Sequence, residues 1–90
     1  MTYSFGMAVE NDKRTGQIKA VYFRIRQGKA AKTKEFDRGN VFVDYNKRGE
    51  LLGVEMLAPS RIEVLDKIAI DEPESKKFLR NSVPREMAPA

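Results

Sequence analysis

The chain of 90 residues contains no cysteine, no histidine and no tryptophan. Without cysteine it has no disulfide framework and no thiolate ligand. Without histidine it has no imidazole base, no zinc-binding histidine pair and no Ser-His relay. Much enzyme chemistry depends on these side chains, so we expect a protein without catalytic residues, without a metal site and without a cofactor.

Long apolar runs are also missing. No segment approaches the roughly 18 apolar residues that a membrane-spanning helix needs, and the N-terminus lacks a basic region followed by a long apolar stretch. We therefore expect no membrane association and a cytoplasmic location. A chain of this length removes only about 60–65% of its unfolded surface from water, so it is expected to form one domain with a modest core.

Acidic residues are scarce in one stretch of this basic chain, whose net charge is +4. Residues 19–38 contain seven Lys or Arg side chains against two acidic ones. We predict that this stretch forms a basic hairpin, which suits a weak contact with a nucleic-acid backbone. A solvated charged surface is the simpler interpretation, because no nucleic-acid-binding motif accompanies it. The candidate anion-binding residues are Arg24, Arg26, Lys32 and Lys34.

Apolar and polar side chains alternate along much of the chain up to residue 57, which is the pattern of half-buried strands. The alternation predicts strands in residues 3–10, near 17–26, near 40–46 and near 50–57. Residues 30–36 give a weaker pattern, and we expect this strand to be short or partly exposed. The fold class is therefore α+β, with a four- to five-stranded antiparallel sheet.

Connected in chain order, these strands form a meander of hairpins. A turn at Gly28-Lys29 then sets Lys34 opposite Phe23. A lysine that leans inward is one way to keep an exposed strand edge from pairing with other chains.

The central hairpin has a clear turn but two possible registers. The sequence Asn46-Lys47-Arg48-Gly49 suits a type I turn in which Gly49 adopts a positive φ. If a glycine bulge makes Asn46 face Glu50, the core face receives a carboxylate beside apolar groups. We therefore favour the register in which Tyr45 faces Glu50. It places Val41, Val43 and Tyr45 on one face with Leu52, Val54 and Met56, and Phe42, Asp44, Leu51, Gly53 and Glu55 on the other.

Two helices are predicted after the hairpin. Ser60 and Glu63 have the spacing of a capping box, and apolar residues recur at helical spacing from there, so a helix over roughly 60–70 should cover the sheet. A second, short helix is expected over 71–81. The domain then spans residues 1–70, with a mobile tail over 82–90 that contains two prolines.

The face of the hairpin opposite the core collects polar side chains. Its candidate site residues are Tyr22, Arg24, Glu35, Asp44 and Glu55, with Thr33 beside them. Paired carboxylates suit a hard cation or acid-base work, but neither a nucleophile nor a phosphate-binding loop accompanies them. A solvated cross-strand network that includes Arg24 is the favoured interpretation.

Residues 20–25, 33–36, and above all 43–46 through Gly49 to 53–57 resemble the YuzE-like family of small bacterial proteins. The resemblance covers roughly residues 3–65 and implies a compact domain of unknown function. Because some members of that family are thought to lie beside toxins, it also implies an antitoxin-like role. The chain departs from the family pattern at Lys34, where an apolar residue is usual, in the loop of residues 10–16, and beyond Ile70.

Together these features predict a small bacterial protein that is not an enzyme and that acts as a protein-binding or regulatory module, with a homodimer as one possible state. The alternative is a weak nucleic-acid-binding protein that uses the basic segment 19–38.

Overall fold

A computed structural model describes residues 2–87. Five antiparallel strands form one sheet, and two helices pack on one of its faces, which confirms the α+β fold class. The strands lie side by side in the order β1-β2-β5-β4-β3. The elements are β1 Gly6–Asn11, β2 Ile18–Arg24, β3 Lys32–Phe36, β4 Val41–Tyr45, β5 Leu51–Leu57, α1 Val64–Ile68 and α2 Pro73–Ser82.

The strand order corrects the predicted pairing of the second and third strands. β5 lies between β2 and β4, and β3 forms the far edge of the sheet, so residues 19–38 are not a hairpin. Lys34 lies opposite Val43 rather than Phe23. This order places the apolar strand β5 in the middle and leaves the charged strand β3 exposed, where its lysine side chains stay in water.

The central hairpin follows neither predicted register along its whole length. At the turn, the Asn46 amide donates to the Glu50 carbonyl (3.0 Å), as in the alternative that we disfavoured. Leu52 then adds an extra residue to β5, because Tyr45 pairs with Leu51 and Asp44 pairs with Gly53. The two irregularities together restore the expected faces over residues 41–44 and 53–56, but Leu51, which was predicted to lie opposite the core, belongs to the core cluster. Val41 and Val43 lie on the core side with Val54 and Met56, and Phe42 and Asp44 lie on the opposite side with Gly53 and Glu55.

Gly49 has the predicted left-handed conformation, with φ of 83°. A Cβ added at this position would meet no atom within 4 Å, so only the backbone conformation resists a larger residue. We expect Gly49→Val to lower the free energy of unfolding by about 1–2 kcal/mol, because a β-branched residue is strained at positive φ. Urea denaturation measures the change. Gly49→Asn is the control and should cost less, since asparagine tolerates this conformation; equal losses would contradict the explanation.

The core lies between the sheet and the helices. Side chains from β2, β4 and β5 meet Leu65 and Ile68 of α1 and Leu79 of α2. The central side chains Val21, Phe23, Val43, Val54 and Met56 are fully buried. One side of the sheet is therefore covered by helices over its middle strands, and we call the other side the open face.

The first helix is shorter than predicted, and its proposed cap is wrong. The amide of Ser60 donates to the Met87 carbonyl (2.7 Å), and the amide of Arg61 donates to Asp37 Oδ2 (2.9 Å). The Ser60 hydroxyl donates to the Leu57 carbonyl instead of accepting a helix amide. Because these groups already have tertiary partners, α1 begins only at Val64.

The second helix ends one residue beyond the predicted limit of 81 and is the longer of the two. The predicted tail is corrected in its first part: Ser82 belongs to α2, Val83 packs against the core, and Arg85–Met87 form a 3₁₀ turn. Met87 is fully buried. Residues 88–90 of the predicted tail lie outside the described residues.

Candidate functional site

The open face brings together all five residues of the predicted polar face. Strand pairing places Tyr22 beside Glu55, and Phe42 separates Glu55 from Glu35 along the same row. Gly53 lies between Arg24 and Asp44 in the next row. The site residues therefore lie across four neighbouring strands on one solvent-facing surface.

Two glycines determine how the large side chains lie on this face. A Cβ at Gly53 would stand 2.1 Å from the Tyr22 hydroxyl, so the phenol ring occupies the space above this glycine. A Cβ at Gly6 would stand 3.0 Å from Arg24 Nη2, so the guanidinium group lies across the edge strand. Gly53 therefore allows the Tyr22 ring to lie directly against the backbone of β5.

The polar groups of the open face have separate partners. Thr33 Oγ1 donates to Asp44 Oδ1 (2.7 Å), and Arg24 Nε donates to the Ser4 carbonyl (2.7 Å). Arg24 forms no salt bridge with a carboxylate among residues 2–87, so it does not join the predicted cross-strand network with Asp44 or Glu55.

The Tyr22 hydroxyl is not a base at neutral pH. Partial burial raises the pKa of the phenol, and the carboxylates of Asp44 and Glu55 raise it further, while Arg24 acts in the opposite direction. Tyr22 therefore stays protonated and can donate a hydrogen bond. Within residues 2–87, no three Asp or Glu side chains converge as they would around a metal ion. The carboxylates of the open face are thus not grouped as a metal site in the described part of the chain.

The four candidate anion-binding residues do not form one surface. Arg24 lies on the open face, whereas Lys32 and Lys34 lie on the opposite side of the sheet at the β3 edge. Two strands, β5 and β4, lie between β2 and β3, so Arg24 and the two lysines cannot contact one short backbone segment. Arg26 follows β2 and turns into the interior, where it is 5% exposed.

Arg26 is occupied by a tertiary ion pair. Its Nη2 donates to Glu72 Oε1 (2.9 Å), and its Nη1 donates to the Leu51 carbonyl. Burial acts to raise the pKa of the Glu72 carboxyl, but hydrogen bonds from Arg26 and Ser75 outweigh it, so the pKa lies below the ordinary value of 4.5. This arginine therefore connects the sheet to the start of α2 and is not available to an external anion.

The edge strand β1 carries the most exposed apolar row of the sheet. Met7 and Val9 of β1 lie on the side where their partners Phe23 and Val21 are buried, and Tyr3 and Phe5, just before the strand, continue the row. Phe5 stacks on Phe78 of α2 with ring centroids 4.5 Å apart, but the helices cover the row only in part. Met7 remains 49% exposed and Val9 41% exposed.

The backbone of β1 is equally accessible. This strand pairs only with β2, so the amide and carbonyl groups that point away from β2 have no strand partner among residues 2–87. The sequence indicated a strand with one apolar face here. It did not show that the row would lie at an edge, because that depends on the strand order.

The two edges of the sheet differ in the number of charged side chains that their strands carry. The β3 edge has Lys32 and Lys34 on its helix side and Glu35 on its open side, and such charges oppose pairing with another strand. In β1 itself the charged residue is Glu10, and the Arg24 guanidinium of the neighbouring strand lies across Gly6 on the open side, so the helix side of this edge carries no charge from β1. The apolar row Tyr3, Phe5, Met7 and Val9, together with the free backbone of β1, is therefore our candidate functional site, and we call it the β1 edge.

No helix among residues 2–87 has the length and apolar composition needed to cross a membrane. Comparison of the chain with protein-family models, with curated proteins and with solved structures finds no match. The YuzE-like resemblance stays a prediction.

Proposed function

We propose that this chain is a non-catalytic protein-binding module that captures an extended segment of a partner protein at the β1 edge. The observation that carries the proposal is the apolar row along an edge strand whose outer backbone groups have no strand partner in the described part of the chain. Strand addition of this kind gives affinity through backbone hydrogen bonds and specificity through alternate side chains.

The chemistry of the β1 edge defines the partner segment. On the helix side it should present apolar side chains to Met7 and Val9, at a spacing of two residues. On the open side, the Arg24 guanidinium already lies across Gly6, so the partner residue opposite Gly6 should be small. Glu10 forms no salt bridge with a cation among residues 2–87, so a lysine or arginine of the partner would complement it.

A second copy of the chain fits this edge less well. In an antiparallel self-pair centred on Ala8, Glu10 would face Gly6 of the other copy and would still have no cation opposite. A different protein is therefore the occupant that we propose. The YuzE-like resemblance suggests that this partner is a toxin regulated by the chain, in the cytoplasm of a bacterium, and the proposal includes both points.

The test introduces a photoreactive benzoylphenylalanine at position 7, at the exposed middle of the β1 edge, in the cells that produce the protein. We expect a cross-linked product in which an extended segment of another protein is attached. The same probe at Glu35, on the opposite edge, is the matched control and should give none. A probe at position 7 that links only to a second copy, or equally well from position 35, would contradict the proposal.

We also expect the double substitution Met7→Lys with Val9→Lys to reduce binding of the identified partner about tenfold or more, because it removes two apolar anchors. Isothermal titration calorimetry measures the loss. Both positions are exposed, so the denaturant midpoint should change little, and this measurement separates a lost contact from a lost fold.

A further inference from the structure

A second surface, distant from the β1 edge, is lined by positive charge. A cleft of about 480 Å³ lies between β3 and the turn that joins β4 to β5. Four of the side chains around it are cationic, and the ring of Tyr45 contributes to its wall. The cations are Lys32, Lys34, Lys47 and Arg48.

The charge of this basic cleft is not compensated within the fold. None of its four cations forms a salt bridge with a carboxylate of residues 2–87. Glu50, in the same hairpin, accepts a hydrogen bond from Asn46 Nδ2 (2.9 Å) and does not line the cleft. Glu35 and Asp44 lie on the other side of the sheet, where Asp44 accepts from Thr33. The cleft therefore presents a net positive surface to an external anion.

The fold positions the residues that carry these cations from two directions. Lys34 Nζ lies 5.6 Å from the centroid of the Tyr45 ring, which is within the range of a cation-π contact. The Asn46 side chain accepts hydrogen bonds from the amides of Arg48 (3.0 Å) and Glu50 (2.9 Å), so the turn that carries Lys47 and Arg48 is ordered. Strand β3 supplies the other wall.

We infer that the basic cleft binds the phosphate backbone of single-stranded nucleic acid without sequence preference. The cleft is open and its cations are distributed along it, which suits an extended polyanion better than a small molecule. The Tyr45 ring offers an aromatic surface beside the cations, the combination found where single strands are bound. Neither helix takes part in the cleft, so no helix is placed to read base edges.

This set of residues differs from the one that the sequence suggested. It keeps Lys32 and Lys34, loses Arg24 and Arg26, and gains two cations from a turn that comes later in the chain. Because the cleft is at the opposite edge of the sheet from β1, this binding does not depend on the proposed capture of a protein segment.

The test is a fluorescence anisotropy titration of the full chain with a labelled oligothymidylate of roughly 20 nucleotides. With four phosphate contacts, the logarithm of the association constant should fall with the logarithm of salt concentration with a slope of about −3. Between about 50 and 200 mM salt, the affinity should therefore drop about 50-fold. We expect a dissociation constant of about 1–100 µM at physiological salt, the range of non-specific binding.

Lys47→Gln with Arg48→Gln should reduce the slope to about −1.4, because two contacts remain. The matched control is Lys13→Gln with Arg14→Gln, a pair of adjacent cations in the exposed β1–β2 loop, and it should leave the slope unchanged. Circular dichroism verifies that both variants fold. Equal effects of the two pairs, no measurable binding at about 50 mM salt, or equally tight binding of poly-glutamate would each overturn the inference.

Discussion

Met87→Ala is expected to lower the free energy of unfolding by about 2–4 kcal/mol, although the residue lies close to the C-terminus of the chain. Its side chain is fully buried and belongs to the same core cluster as Phe23 and Leu65. The substitution removes apolar contacts and leaves a cavity that the surrounding side chains fill only in part. The hydrogen bond from the Ser60 amide to the Met87 carbonyl uses the backbone and should persist.

Chemical denaturation of the variant measures this effect, and Met7→Ala is the matched control. Met7 is the same residue type but is 49% exposed on the β1 edge, so its truncation should cost less than about 1 kcal/mol. A loss for Met87→Ala as small as that for Met7→Ala would show that the chain end does not belong to the core.

Glu72→Gln is expected to destabilise the protein by about 2–4 kcal/mol at neutral pH, because it leaves the buried Arg26 guanidinium without its counter-charge. The Arg26 side chain is 5% exposed, and its Nε already has no hydrogen-bond partner among the described residues. Glutamine has nearly the same shape as glutamate, so packing changes little and the lost charge dominates the result. High salt should not mask the loss, since buried pairs are screened much less than exposed ones.

The matched control is Asp66→Asn, which breaks the exposed pair between Arg80 and Asp66. The two side chains of this pair are 44% and 49% exposed with 3.9 Å between Arg80 Nε and Asp66 Oδ1, so its loss should cost less than about 1 kcal/mol. Similar losses for both variants would contradict a special role of the buried pair.

The effect of Glu72→Gln should also depend on pH in a defined direction. The pKa of Glu72 is depressed in the folded protein, so its stabilising contribution is complete above the ordinary pKa of 4.5 and is lost as pH falls through the folded value. The stability difference between the original protein and Glu72→Gln should therefore be constant above about pH 5.5 and shrink below pH 4.5. Urea titrations at a series of pH values measure it, and a difference that grows in acid would contradict the assignment.

The candidate site divides into parts that were predictable and parts that were not. The five polar residues of the open face were predicted to lie together, and they do, because alternation along a strand assigns each side chain to a face. The apolar row of β1 was visible for the same reason. The exposure of this row could not be predicted, because the alternation pattern of a strand does not show whether the strand lies at the edge or in the middle of a sheet.

Arg26 shows where local alternation stops being a guide. If side chains continued to alternate between the two faces beyond the end of β2, Arg26 would lie on the open face beside Arg24. The strand ends at Arg24, and the next residues follow the irregular end of β5, where the Arg26 amide donates to the Leu52 carbonyl (3.3 Å). Its side chain consequently enters the interior and meets Glu72, 46 residues later in the chain.

By itself, the sequence determined the fold class, the approximate positions of the strands, the turn at Gly49 and the faces of the central hairpin away from Leu51. These features depend on side-chain alternation and backbone preferences over a few neighbouring residues. Only the tertiary structure decided the strand order, the extra residue at Leu52, the late start of α1 and the burial of Met87. Each of these features depends on distant segments that compete for the same apolar surface and the same backbone hydrogen bonds. The local sequence does not determine which segment occupies that surface or makes those bonds.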